Sequence, residues 1–271
     1  MLNLAMLEEK SREIRRLTVK AIGHLGVGHI GGCLSIADLL AVLYYGAMRI
    51  DPADPKKPGR DRLVISKGHA GPALYAALSM KGYIPESELY TLNQLGTNLP
   101  SHCDMNRTPG VDMTTGSLGQ GFSCSVGVAV GARLRKDGAN VFAIIGDGES
   151  QEGQVWEAAM FAAHAKLDNL IAFTDLNGYQ IDGSTDQVNS LGDIAAKWRA
   201  FGWHTQEIDG HDHAAISDAI GAARREPGKP HMILLHTVKG RGVSFIEQMG
   251  ATNHNTALNA EQTEAALAEI G

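Results

Sequence analysis

The sequence predicts an α/β fold, one parallel sheet with helices on both faces, and three observations carry that expectation. Five short apolar runs alternate with longer stretches of helical periodicity beyond residue 60. Strands alternating with helices require crossover connections, and crossovers cover both faces of a parallel sheet. Four of the five strand candidates, all but His204–Ile208, are also nearly apolar rather than alternating, as strands buried on both faces are. Finally, glycine is abundant, 32 of 271 residues, which supplies tight turns and bare backbone where strands hand over to helices.

In chain order, Leu4–His24 and Ser35–Met48 show apolar spacings of three and four and read as helices. DPADPKKPGRD, Asp51–Asp61, is a loop, because its prolines and glycine break either period. The strand candidates are Leu63–Ser66, Val141–Ile145, Leu170–Asp175, His204–Ile208 and Met232–His236. Helices are expected at Gly71–Gly82, Ser117–Lys136, Gln151–Ala165, Leu191–Phe201 and Asp212–Arg224, with a terminal one from about Asn259. No linker-like tract interrupts this order, so residues 1–271 read as a single domain.

Composition narrows the function classes. Lysine and arginine number 24 against 30 aspartates and glutamates, a net charge of −6, which argues against general binding to nucleic acid or an anionic membrane. Apolar runs such as Leu39–Met48 are about half the length that spans a bilayer. The charged N-terminal stretch from Glu8 to Arg16 does not have the pattern of a signal peptide. Cys33, Cys103 and Cys124 share no CxxC spacing, which fits a reducing compartment; a cytoplasmic chain is expected.

The chemistry concentrates where the strands end, because ligands of open α/β sheets bind beyond the strand carboxyl ends. The run GDGESQEGQVWEAAMFAA (Gly146–Ala163) follows one strand, and LNGYQIDG (Leu176–Gly183) follows the next. Asp147 and Asn177 lie 30 positions apart, the length of a crossover that sets two parallel strands side by side. A carboxylate oxygen, an amide oxygen and one loop carbonyl then suit a magnesium ion that also holds a diphosphate. Gly146 and Gly148 let the backbone approach those phosphates. Taken alone, GDG is also what an ordinary capping aspartate gives; the paired asparagine separates the two readings. Neither GxGxxG after a strand nor a P-loop GxxxxGK[ST] is present, which counts against a nucleotide-binding dehydrogenase.

A GDG with an asparagine about 30 residues on is the signature of thiamine diphosphate enzymes, and the surrounding words resemble transketolase. They are GHIGGCLS, DRLVISKGHA, TTGSLGQG, GDGESQEGQVWEA, AFGWHTQEIDGH and TVKGRGVSFIE, spread over nearly the whole chain in the family's order. The match corresponds to the part of a transketolase that binds the cofactor's diphosphate, and split transketolases, in which that part is a separate subunit, fit best. The resemblance implies the thiamine diphosphate-binding fold and transfer of a two-carbon ketol unit from a ketose to an aldose, either of them free or phosphorylated. It implies Mg2+ at Asp147, Asn177 and the carbonyl of Tyr179, with Gly148 and His69 near the diphosphate. Gly116, Ser117 and Leu118 would contact the cofactor's rings, with Asp175 and Ile181 flanking the thiazolium. His29, His69, His102 and His254 match active-site histidines, and Lys239 a lysine near cofactor or substrate. Glu152 matches an acid of the subunit-contact network beside the cofactor, and Glu157 lies on the same helix.

Ketol transfer needs an electron sink and proton transfers among hydroxyls; thiazolium supplies the first, and histidine suits the second. The remaining histidines, His24, His164, His204, His211, His213, His231 and His236, are expected to be structural. In one place the text departs from the family: His254 is flanked by Asn253 and Asn255 where the family has Trp-His-Gly. The family's activating glutamate belongs to a pyrimidine-binding domain that has no counterpart before Gly271. A second chain of about 300 residues is therefore expected to carry it, as two copies of each. Two alternatives stay open on the sequence. One is another thiamine diphosphate enzyme, such as a deoxyxylulose-phosphate synthase or a 2-oxo acid dehydrogenase α subunit. The other is a cofactor-binding subunit that has lost its chemistry.

Overall fold

The computed structural model describes residues 3–271. Its centre is a five-stranded, all-parallel sheet of β1 (Arg62–Ile65), β2 (Val141–Gly146), β3 (Leu170–Leu176), β4 (His204–Asp209) and β5 (His231–His236), in the order β1-β2-β3-β5-β4. All five strands stand where the apolar runs place them, shifted by a residue at some ends. Side chains alternate between two cores because successive Cβ atoms of a strand point to opposite faces. Phe142, Ile144, Ile171, Phe173, Ile233 and Leu235 pack on one face. Val141, Ala143, Ile145, Leu170, Ala172, Met232 and Leu234 pack on the other.

The first face is covered by α1 (Leu4–Leu25), α2 (Ile30–Leu34), α3 (Ala37–Val42), α4 (Gly71–Lys81) and, from later in the chain, His213–Arg225. The second is covered by α5 (Gln120–Arg135), α6 (Gly153–His164) and α7 (Ile194–Ala200). With α8 for His213–Arg225 and α9 for Ala260–Ile270, the main helices are complete. α1 starts where Asn3 accepts from the Met6 amide and stops at Gly26, whose φ of 89° a side chain would resist.

The departures from expectation lie among the helices. Ser35–Met48 is not one helix: α3 gives way to a π-helical stretch, Leu43–Ala47, in which the Met48 amide reaches back to the Leu43 carbonyl. α5 begins at Gln120 rather than Ser117, because Gly116 and Gly119 take φ of 152° and 82° and hold the residues between them out of the helix. α6 begins at Gly153, after a 3-10 turn over Gly148–Gln151. The buried α2 is an addition, since five residues are too few to carry a readable periodicity. Among the described residues no helix is long and apolar enough to cross a membrane.

Candidate active site

At the carboxyl ends of the strands lies a cleft of about 380 Å³. Parallel pairing of β2 with β3 sets Gly146 opposite Asp175, so the two following turns run side by side. The Asp147 carboxylate accepts from the Gly148 amide at 2.8 Å and from the Gly178 amide at 2.6 Å, which ties one turn to the other. Asn177 accepts on Oδ1 from the Tyr179 amide and donates from Nδ2 to Asp175 Oδ2 at 2.9 Å, fixing which end of its amide is the oxygen. The short hairpin Tyr179–Gln180 with Gly183–Ser184 forms the lip of the cleft, where Ile181 is 67% exposed.

Four histidines converge on the opposite wall. His69 lies in the turn after β1 and His102 in the loop before Gly116. His29 and His254 are brought together by a two-residue antiparallel pairing, Val27 with Ala257 and Gly28 with Thr256. The ring centroid of His29 lies 5.4 Å from those of His69, His102 and His254, and His69 and His254 are 4.8 Å apart. Burial, then the charges of His102 and Lys239, lowers His29 to about 4; burial, Lys239 and His29 lower His254 to about 3. His69 and His102 are lowered too, chiefly by burial. All four rings are neutral at pH 7, each with one N–H and one acceptor nitrogen.

Beneath the cleft, Lys67 and Asp175 form a buried ion pair at 2.6 Å. Burial by itself would raise the Asp175 pKa, but Lys67, Thr237 and Ser35 together hold it below the usual carboxylate range. Glu149, 2% exposed, accepts from the Gly119 and Gly146 amides and from Ser66, and so binds three loops together. Lys239 is 4% exposed, lies 3.3 Å from His254 Nδ1 and makes no ion pair among the described residues. Burial and the Lys67 charge lower it to about 8.

Most of the residues singled out from sequence line this one cleft: His29, His69, His102, Gly116, Leu118, Asp147, Gly148, Glu152, Asn177, Tyr179, Ile181, Lys239 and His254. Two do not. Asp175 is 0% exposed and sits below the surface, holding Lys67 and Asn177 in place. Ser117 is exposed and stands outside the cleft lining, in the turn that Gly116 and Gly119 set. The other histidines are elsewhere: His211 and His213 flank the buried Asp38, and His204 pairs with His231. Sequence reasoning passes over Lys67, Glu149, Gln151 and Gln180; all four stand inside quoted runs, but nothing local marks a residue whose partner is distant.

These residues fit a diphosphate and a hard cation. Asp147, Asn177 and the Tyr179 carbonyl offer only oxygen, the donor type of Mg2+ and Ca2+ rather than of zinc. Burial and the Asp175 charge raise the Asp147 pKa to about 6, the mark of a carboxylate short of positive charge. Lys239 is the converse, a buried cation short of an anion. The wall between them is bare backbone: a Cβ on Gly148 would come within 3.0 Å of Gln180, one on Gly116 within 3.3 Å of His102, and one on Gly32 within 3.2 Å of the Lys67 ammonium.

Known proteins are similar to this chain over nearly its whole length. A protein of Clostridium sp. (strain MSTE9) named 6-deoxy-6-sulfo-D-fructose transketolase subunit SqwG is 58% identical over 264 residues, covering 97% of this chain and 96% of that one. A protein of Phocaeicola vulgatus, named as a subunit of apulose-4-phosphate transketolase, is 39% identical over 264 residues, covering 97% and 93%. The crystal structure of transketolase from Campylobacter jejuni superposes with a TM-score of 0.93 at 32% identity, covering 100% of this chain but 43% of that one. This chain thus spans less than half of the solved transketolases it matches. The family described as "Transketolase, thiamine diphosphate binding domain" matches residues 8–271, and with the cleft residues above this places the chain in the transketolase family, as its thiamine diphosphate-binding part.

Proposed function

We propose that this chain is the diphosphate-binding subunit of a two-chain transketolase that moves a two-carbon ketol unit from a ketose donor to an aldose acceptor. The observation that carries the reading is the convergence of four neutral histidines on the cleft that also holds Asp147, Asn177 and Lys239. Asp147, Asn177 and the Tyr179 carbonyl would hold Mg2+, whose part is to anchor the diphosphate; Lys239 and the Gly148 backbone face the same anion. Bound thiamine diphosphate supplies the electron sink that breaking a carbon–carbon bond beside a carbonyl requires. His29, His69, His102 and His254, each neutral, orient the sugar hydroxyls and pass protons between them. Gly116 and Leu118 leave room for the cofactor's rings, and Ile181 and Glu152 stand at the rim, where a partner would close over them.

The partner is a second subunit of about 300 residues, two domains' worth, bearing the pyrimidine-binding domain and its activating glutamate, in a heterotetramer with two copies of each chain. The word "subunit" in the names of both relatives supports a partner, and a cytoplasmic location suits sugar chemistry of this kind. The sugars named for those relatives carry a sulfonate or a phosphate. The lysines of this cleft, Lys67 and Lys239, are engaged by Asp175 and placed toward the diphosphate, so an anionic sugar terminus falls to the partner. The intact Asp147, Asn177 and histidine cluster favours chemistry over a lapsed subunit.

The test is co-purification from the native cells followed by assay. With partner, cofactor and Mg2+, ketol transfer to an aldose is expected, and Asp147→Ala abolishes it together with cofactor binding. Carbon dioxide release from pyruvate in place of ketol transfer would overturn the reading in favour of another thiamine enzyme. Cofactor binding with no transfer in the presence of the partner would mark a lapsed subunit.

A further inference from the structure

Beside the cleft, and sharing His29 with it, lies a second pocket of about 90 Å³. Its polar lining is Asn93, Ser101 and Asn255; Leu25, Val27, Pro72 and Leu92 make up most of the rest. None of the three polar side chains has a hydrogen-bond partner among the described residues, and Asn93 and Asn255 are exposed and open to a ligand. Asn93 is also one of three non-glycine residues with positive φ, 55°, held there by a hydrogen bond from its amide to the Leu99 carbonyl. A non-glycine residue in that conformation is worth explaining, and such positions gather at ligand sites. Asn255 is the residue that stands where the resembling family has glycine, so this sequence adds an amide at the edge of the active cleft.

The pocket's chemistry is specific about what it takes. No lysine, arginine, aspartate or glutamate lines it, so a phosphate, sulfonate or carboxylate would enter without a counter-charge and lose its hydration. Two amides and a hydroxyl offer both donors and acceptors, which match neutral hydroxyls. The aliphatic remainder matches C–H. At roughly 30 Å³ for each water, the space equals about three waters, enough for one or two CHOH units and too little for the cofactor. His29 lines both the pocket and the cleft, so a chain held in the pocket lies beside the ring that the functional reading sets at the reacting carbons.

We infer that this pocket is a subsite for the uncharged, hydroxyl-bearing carbons of the sugar beyond its reacting end, with Asn255 as a specificity-determining residue. The inference rests on the transketolase reading and names part of its substrate recognition. The experiment uses the complex of both subunits with cofactor and Mg2+, and compares Asn255→Gly and Asn93→Gly with the parent. The ratio of kcat/KM for erythrose, with four carbons, to that for glycolaldehyde, with two, is expected to fall about 5- to 10-fold in Asn255→Gly, through KM, the effect of one or two neutral hydrogen bonds. An unchanged ratio overturns the subsite. A second readout needs no turnover: saturation-transfer NMR of erythritol with the same complex. Signal transfer to erythritol in the parent, weakened in both variants, supports the subsite; equal transfer in all three overturns it. If no ketol transfer is found with any aldose, the functional reading fails and the erythritol experiment still decides the pocket.

Discussion

Lys67 and Asp175 stand 108 positions apart in sequence and meet with their side chains 2% and 0% exposed. A buried pair of this kind is weak evidence of net stabilisation, but losing one partner strands the other charge in a medium that cannot solvate it. Lys67→Met is therefore expected to destabilise the chain by about 3–5 kcal/mol, measured by urea unfolding, whereas Lys67→Met with Asp175→Leu recovers much of that loss. The histidines act on stability through protons. Folded His29 and His254 stay neutral down to about 4 and 3, against 6.5 for a free ring. Below pH 6.5 the unfolded chain therefore binds protons that the folded chain refuses, and stability falls as pH falls from 6.5 toward 4. The groups facing these rings are Lys67, Lys239 and the other histidines, and the lowered His69 and His102 add to the trend, whereas Asp147, raised to about 6, opposes it. Unfolding free energy at pH 5 is expected to lie below that at pH 7, and the double variant His29→Gln with His254→Gln flattens the slope.

Among the elements, the five residues of α2 decide how the site closes. The Gly31 carbonyl accepts from the Gly240 amide at 3.0 Å, and the buried Asn253 donates to the Lys239 and Ile246 carbonyls. A Cβ on Gly31 would stand 2.1 Å from Asn253 Oδ1 and 2.8 Å from its backbone oxygen, so the segment carrying His254 packs directly on bare α2 backbone. Gly31→Ala has to move that segment, and overpacking of this kind costs about 1–3 kcal/mol. The expected outcome is a lower urea midpoint with weakened cofactor binding; a variant with unchanged midpoint and binding would show that the segment gives way freely. The other end of the Lys239 loop is fixed from α3. Asp38, paired with Arg15 of α1, receives a hydrogen bond from His211 Nδ1, and His211 Nε2 accepts from the Val238 amide at 2.9 Å. His211, structural as its sequence surroundings suggest, thus holds the loop of a site residue.

For the molecule as a whole, the sheet separates two cores and leaves all the chemistry on one edge, with Ile181 and Tyr179 exposed on the rim. A ligand that binds only the folded chain raises its stability by mass action, by about 2.7 kcal/mol at a hundredfold excess over Kd. For a chain of this size that corresponds to a rise in Tm of about 5–10 °C. Thiamine diphosphate with Mg2+ is expected to give such a shift, EDTA to remove most of it, and Asp147→Ala to abolish it, all by thermal denaturation of the parent and variant side by side.

Local patterns are enough to encode the strands and much of the cleft. Apolar runs mark four of the strands, since burial on both faces leaves little room for polar residues there, while the fifth, His204–Asp209, is a polar, half-buried edge strand. Crossover length puts Asp147 beside Asn177, and the motif words gather most of the cleft residues. The pairings that join distant segments are legible only in the folded chain. Asp175, expected beside the thiazolium, lies beneath the cleft as the buried partner of Lys67; Ser117, expected beside the cofactor's rings, stands exposed in a turn set by two glycines. His254 meets His29 through a two-residue strand pairing too short to leave a period, and Asn253 and Asn255 acquire their surroundings only from what folds against them. A periodicity reports which face of an element is buried, but not which residue on another element it is buried against, and the second fact makes the site.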